Sequence, residues 1–253
     1  MGFIKPSSGD IKVLGESPRN PKIKRLIGYL PENPYYYDHL SAEELLRFSA
    51  RTSGIADKDI DGRIDRILQT MSLKHARKRK LRSYSKGMTQ RAGICFAIIH
   101  DPQLLILDEP MSGLDPIGRK DVVELVLDLK KSGKTILFCS HILNDVQKLC
   151  DRMAIMNKGR ILKVMTGEKL RSNVQQITLA CGELPLSVSE NLIRLGANIR
   201  KVEKINFVDS PKKDFNNILN ELKKNDIGID NIQTSEDALE KFFFETIQDE
   251  TRQ

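Results

Sequence analysis

Two adjacent carboxylates, Asp108 and Glu109, close the aliphatic run Leu104-Leu105-Ile106-Leu107 and precede Pro110. Four aliphatic residues in succession suit a strand buried on both faces. The carboxyl end of such a strand is the edge at which open parallel sheets bind ligands. Charges beside a core are costly unless compensated, and a divalent cation is an obvious compensator. The same pair would equally serve to start a loop or cap a helix. A second aliphatic run, residues 136–139, leads into Ser140 and His141. A lone histidine is ordinarily structural, but two strands of one sheet would deliver His141 to the edge that holds the acidic pair. The third element is Tyr84-Ser85-Lys86-Gly87-Met88-Thr89-Gln90-Arg91. A small, polar, glycine-bearing turn that opens a helix presents free N–H groups and the positive end of the dipole, an anion-binding arrangement. Ser-x-Gly turns also begin many helices that bind nothing.

The elements that must position these groups alternate along the chain. A turn at residues 6–9 is expected to enter a short strand at 10–14, and a second strand at 26–30 runs into Pro31-Glu32-Asn33-Pro34. Ser41 and Glu44 have the spacing of a capping box, so a helix is expected over 42–51. Residues 57–71 carry Ile60, Ile64, Ile67 and Leu68 on one helical face. Helices over 88–100, through Val122, Leu125, Val126 and Leu129, and over 143–149 separate strands at 104–107, 135–139 and 152–156. Strands alternating with helices imply a parallel sheet covered on both faces. Past residue 170 the expected order is β-α-β-β-α-β-α, a ferredoxin-like pattern with an extra helix over 236–247.

Composition sets the bounds. The chain has 253 residues, 40% of them apolar, enough for a core built mainly from aliphatic side chains because aromatics are only 6%. Four cysteines at 95, 139, 150 and 181 form no CxxC pair, which argues against a disulfide framework or a zinc site and for a reducing compartment. No uncharged stretch approaches the roughly 20 residues of a membrane helix, and no signal peptide is visible at Met1. A cytoplasmic location is expected. The net charge of +7 is concentrated partly in residues 74–82, which hold six Lys or Arg. Without interleaved aromatics this run reads as a solvated surface, and no nucleic-acid partner is expected.

Together these segments resemble the nucleotide-binding subunit of ABC transporters. SYSKGMTQR is similar to the signature motif, LLILDEP to the Walker B strand, Ser112 to Pro116 to the D-loop, FCSHIL to the switch histidine, and GYLPENP at 28–34 to the Q-loop segment, all in the family's order. The resemblance implies an α/β fold, a P-loop NTPase cassette over residues 1–170, with a mostly parallel sheet, helices on both faces and a helical signature subdomain. Residues 171–253 resemble the small α+β accessory domain of ABC-2-type exporters.

The resemblance further implies ATP and Mg2+ as ligands. Asp108, with Glu32 of the Q-loop, would serve the metal. Glu109 would orient and polarise the attacking water, and His141 would contact the γ-phosphate. Ser85, Lys86, Gly87 and Met88 would meet a nucleotide bound on a second nucleotide-binding subunit, and Asp115 would bridge the two subunits. A separate multi-span permease would be the membrane partner, leaving this chain peripheral at the inner face of the cell membrane, with export as the implied direction. Two departures stand out: Glu32 replaces the usual glutamine and cannot donate as an amide does, and the signature reads Y-S-K-G-M rather than L-S-G-G-Q.

The phosphate loop G-x-x-x-x-G-K-[ST] does not occur in these residues. Gly133-Lys134-Thr135 fails because Asp128 stands where the first glycine belongs and because the tripeptide follows a helix and precedes a strand. The resemblance implies that the loop belongs just before Gly2 and is cut off at Met1, together with the adenine-stacking aromatic. On that reading the isolated polypeptide is expected to fold poorly. Three functions stand open: an ATP-hydrolysing transporter subunit, a degenerate cassette that only lends its signature motif to a partner, and an ABC ATPase of chromosomes or ribosomes. The single cassette, with only about 50 residues between Glu32 and the signature, disfavours the last.

Overall fold

The computed structural model describes residues 1–167, 176–202 and 205–233, with Phe243, Thr246 and Ile247. Two compact units divide at residues 141 and 142. The boundary expected at 170/171 and most of the helix expected over 236–247 lie outside the described residues.

The first unit is built on a parallel three-stranded sheet in the order β1-β2-β3, with β1 at Ile27–Leu30, β2 at Leu104–Asp108 and β3 at Thr135–Cys139. Leu30 pairs in register with Leu107, and Asp108 with Cys139, so all three strands end at one edge. The strand expected at 10–14 is not formed. Val13 and Glu16 make an isolated bridge around Leu14 and Gly15, which have positive φ, and this reversal leaves no run of residues for a ladder.

A short helix, α1 (Pro21–Lys24), leads into β1. The capping box starts α2 (Ala42–Thr52): Ser41 Oγ accepts from the Glu44 N–H, and Glu44 Oε2 accepts from the Ser41 N–H at 2.6 Å. Helix α3 (Asp57–Thr70) buries Ile60, Ile64 and Leu68 completely, one residue per turn along a single face. Each such aliphatic burial stabilises by roughly 1.5–3 kcal/mol. Helix α4 (Lys86–Ile98) packs against β1 closely enough to require Gly28, since a Cβ there would lie 2.1 Å from the Ala97 carbonyl oxygen. Helix α5 (Pro116–Lys131) ends at Gly133 in the left-handed conformation that favours glycine. Lys134 pairs with Asp101 at 2.7 Å, so the lysine of Gly-Lys-Thr is spent on a loop.

The basic run is largely exposed, as a solvated surface would be, but part of it is tied down. Arg77 bonds Glu43 through two nitrogens and also reaches Asp61 and Asp65. Lys80 pairs with Glu44, and Arg79 donates to the Ser83 carbonyl. These bonds staple the short connecting turns to α2 and α3.

In the second unit, α6 (Leu143–Leu149) precedes a hairpin of β4 (Arg152–Asn157) and β5 (Arg160–Thr166). The strand expected at 152–156 therefore pairs antiparallel with β5 and stands in a separate sheet. Lys158 and Gly159 both have positive φ, the backbone a two-residue hairpin turn requires. A second sheet, in the order β7-β8-β6-β9, comprises β6 (Gln176–Cys181), β7 (Asn198–Val202), β8 (Ile205–Pro211) and β9 (Ile229–Gln233), all paired antiparallel. Helices α7 (Leu186–Arg194) and α8 (Phe215–Lys224) contribute Val188, Leu192, Ile218 and Leu222 to a core with Leu179, Cys181 and Val208.

Candidate functional site

The carboxyl edge of β1-β2-β3 gathers the acidic and imidazole groups. Glu109 follows β2 directly and its N–H donates to the Cys139 carbonyl, so the sheet ladder runs one residue past Asp108. Its φ is +47°, the left-handed region that non-glycine residues seldom occupy. This bend turns the side chain toward the end of β3. There the His141 N–H donates to Glu109 Oε1 at 3.0 Å. The His141 ring nitrogen Nδ1 lies 2.9 Å from Oε2, within ion-pair distance but without hydrogen-bond alignment. The Glu109 side chain is 14% exposed and that of His141 75%. A half-sequestered carboxylate with a ring open to solvent beside it can accept a proton from a bound water while the ring faces an incoming anion.

Asp108 and Glu32 lie near the same edge. The Cys139 thiol is pushed above its ordinary pKa by partial burial and then by the negative charges of Asp108, Glu109 and Glu32, so all three carboxylates act on one point. Among the described residues no group of three or more His, Cys, Asp or Glu converges as a metal cage. Asp108 and Glu32 are the one or two carboxylates that Mg2+ ordinarily takes, its octahedron being completed by water and phosphate oxygens.

Ser85 is the N-cap of α4; its Oγ accepts from the Met88 N–H at 3.2 Å. Ser85 and Lys86 are exposed at this helix start. The turn packs on the loop after Glu109: a Cβ on Gly87 would lie 3.0 Å from the Gly113 carbonyl oxygen, and one on Gly113 would lie 2.9 Å from Lys86 Cδ. Asp115 is also exposed and caps α5, where its Oδ1 accepts from the Gly118 N–H at 2.8 Å. Its role inside the chain is therefore a helix cap. Glu109 and His141 are brought into direct contact; Ser85, Lys86, Gly87 and Met88 form a separate cluster on the first turn of α4.

A family model described as ABC transporter matches residues 1–112. An uncharacterized ABC transporter ATP-binding protein of Alkalihalophilus pseudofirmus is 31% identical over 228 residues, covering 85% of this chain and 85% of that protein. The chain belongs to the ABC transporter ATP-binding family. A solved structure described as the ATP binding subunit of an ABC transporter superposes with a TM-score of 0.62 at 31% identity, covering 68% of this chain and 72% of that one. The fold is accordingly that of an ABC-type P-loop NTPase. An uncharacterized ABC transporter ATP-binding protein of Nostoc sp. is 46% identical over 164 residues, which are 64% of this chain and 49% of that protein. The chain thus spans about half the length of the first curated relatives it matches.

Within this ABC cassette the motifs lead to Glu109 and His141 and contain Gln90 without giving it a role; its Nε2 donates to the Glu109 carbonyl at 3.0 Å. A signal existed. Gln90, Ile94 and Ala97 follow helical spacing, so the carboxamide falls on the buried stripe of α4, where it needs a polar partner.

Proposed function

We propose that this chain forms part of an ATP-hydrolysing subunit that drives transport through a separate multi-span permease. The observation that carries the reading is the Glu109–His141 contact at the carboxyl edge of β2 and β3. Glu109 accepts a proton from, and orients, the attacking water; His141 holds Glu109 through its N–H and offers its ring to the γ-phosphate. Asp108 and Glu32 hold Mg2+, which when bound neutralises charge on the phosphate oxygens. Phosphoryl transfer asks a protein mainly for positioning and charge stabilisation, which is what carboxylates, an imidazole and helix N–H groups supply. Ser85, Lys86, Gly87 and Met88 meet a nucleotide held by a second nucleotide-binding subunit, and Asp115 lies at that junction. The cassette, residues 1–170, works at the inner face of the membrane, and residues 171–253 form an accessory domain.

Among the described residues no helix is long and apolar enough to cross a membrane; on this reading the permease is a separate chain. The similarity of residues 171–253 to ABC-2-type exporters supports export as the direction. Tagged protein purified from gently solubilised membranes should carry a multi-span permease with it. Recovery with ribosomes or DNA, and no permease, would overturn the reading.

A further inference from the structure

Helix α4 carries an exposed N-cap at Ser85 and, five residues further on, a buried amide. Gln90 is 3% exposed and lies on the face that takes Ile94 and Ala97 into the core. Burying a carboxamide is costly unless its polar atoms are engaged. Its Nε2 donates to the main-chain carbonyl of Glu109 at 3.0 Å, and that carbonyl also accepts from the Ser112 N–H at 3.0 Å. With two lone pairs the carbonyl accepts both donors, and the residue that carries it is the one held at φ +47°. The same backbone bend directs the Glu109 carboxylate to the His141 N–H.

We propose that Gln90 is a positioning residue for Glu109, holding the left-handed backbone that aims its carboxylate and tying it to the helix that starts at Ser85. The inference rests on the reading of Glu109 as the group that orients water. It adds a physical link between two sites. An α-helix moves as a rigid rod over one and a half turns, so a displacement of the Ser85–Met88 turn is passed to Gln90 and then to the Glu109 carbonyl. Glu109 is thereby sensitive to whether the signature turn of its own subunit is engaged.

Three substitutions in the assembled transporter test this. Gln90→Met keeps the side-chain length and removes the donor. Gln90→Asn keeps the amide but is one methylene too short to reach, and it decides the matter if the Met variant does not assemble. Both should lower kcat for ATP about tenfold or more, as expected when a reacting group is misplaced by about an ångström, with KM for ATP unchanged within about twofold. In a Glu109→Gln background, single-turnover hydrolysis should fall no further on adding either change, because Gln90 acts only through Glu109. Unchanged kcat, a loss in KM alone, or a further multiplicative fall on Glu109→Gln would each overturn the proposal. Parental turnover by Glu109→Gln alone would instead overturn the reading of Glu109, and this inference with it.

Discussion

The His141 main-chain N–H donates to Glu109 Oε1 at 3.0 Å while the His141 ring nitrogen stands 2.9 Å from Oε2. One residue thus holds the carboxylate with its backbone and faces it with its side chain. The two functions are separable by mutation, because removing the ring leaves the backbone donor in place.

His141→Ala should therefore keep Glu109 aimed and lose only the ring. With the ring 75% exposed, folding stability should change by no more than about 0.5 kcal/mol. ATP turnover should fall by about 100-fold, the usual scale for a lost acid–base or charge-stabilising group. Chemical denaturation and steady-state ATPase assays of the transporter measure the two effects.

Arg77→Ala should destabilise the helical part of the cassette without touching the site. It removes hydrogen bonds to Glu43 and Asp61 and the contact with Asp65, leaving Glu43 with Arg47 as its remaining cation. Loss of charge-assisted bonds at a partly buried site costs about 1–3 kcal/mol. Urea unfolding followed by circular dichroism should show a lower midpoint with an unchanged slope.

The same carboxylates set an acid limit. Glu43 is held down to about 2 by its hydrogen bond from Arg77, and Glu44 to about 2 by the Ser41 N–H. Both pKa values are depressed on folding from 4.5, so the unfolded chain binds more protons in that window. Their stabilisation is present above about 4.5 and is lost as pH falls toward about 2. Thermal unfolding across this range should show a falling midpoint, and Arg77→Ala should flatten the slope.

Gly28→Ala tests the packing of α4 on β1. The new methyl would sit 2.1 Å from the Ala97 carbonyl oxygen. Since that neighbour is backbone, strand and helix must separate, at about 1–3 kcal/mol or more. A midpoint within error of the parent would show that the two elements are not in this contact.

Much of this arrangement was legible in the residues themselves. Ser41 and Glu44 announce α2 because a capping box is a local pattern, and the aliphatic run ending at Asp108 announces β2 because burial on both faces leaves no polar interruption. What was hidden depends on tertiary placement. Nothing in Leu-Asp-Glu-Pro signals that Glu109 takes a left-handed backbone, since no glycine marks it. Gln90 lay in the open as a polar residue on an apolar stripe, but its partner is 19 residues away and only the fold joins them. Residues 10–14 looked like a strand by composition, yet a strand needs a neighbour, and the bend at Leu14 and Gly15 provides only a two-residue bridge. Strand β5 was missed because Arg160–Thr166 mixes exposed apolar and charged side chains, the mark of a hairpin with little core beneath it.

The proposed hydrolysis turns on Glu109. Glu109→Gln keeps the shape of the side chain and an oxygen for the His141 N–H, but removes the proton acceptor. In the assembled transporter, steady-state ATP hydrolysis should fall by at least about 100-fold, while ATP binding, read as retained nucleotide after rapid gel filtration, should stay close to the parent. Hydrolysis at the parental rate, with the substitution verified and the complex intact, would contradict the role assigned to Glu109.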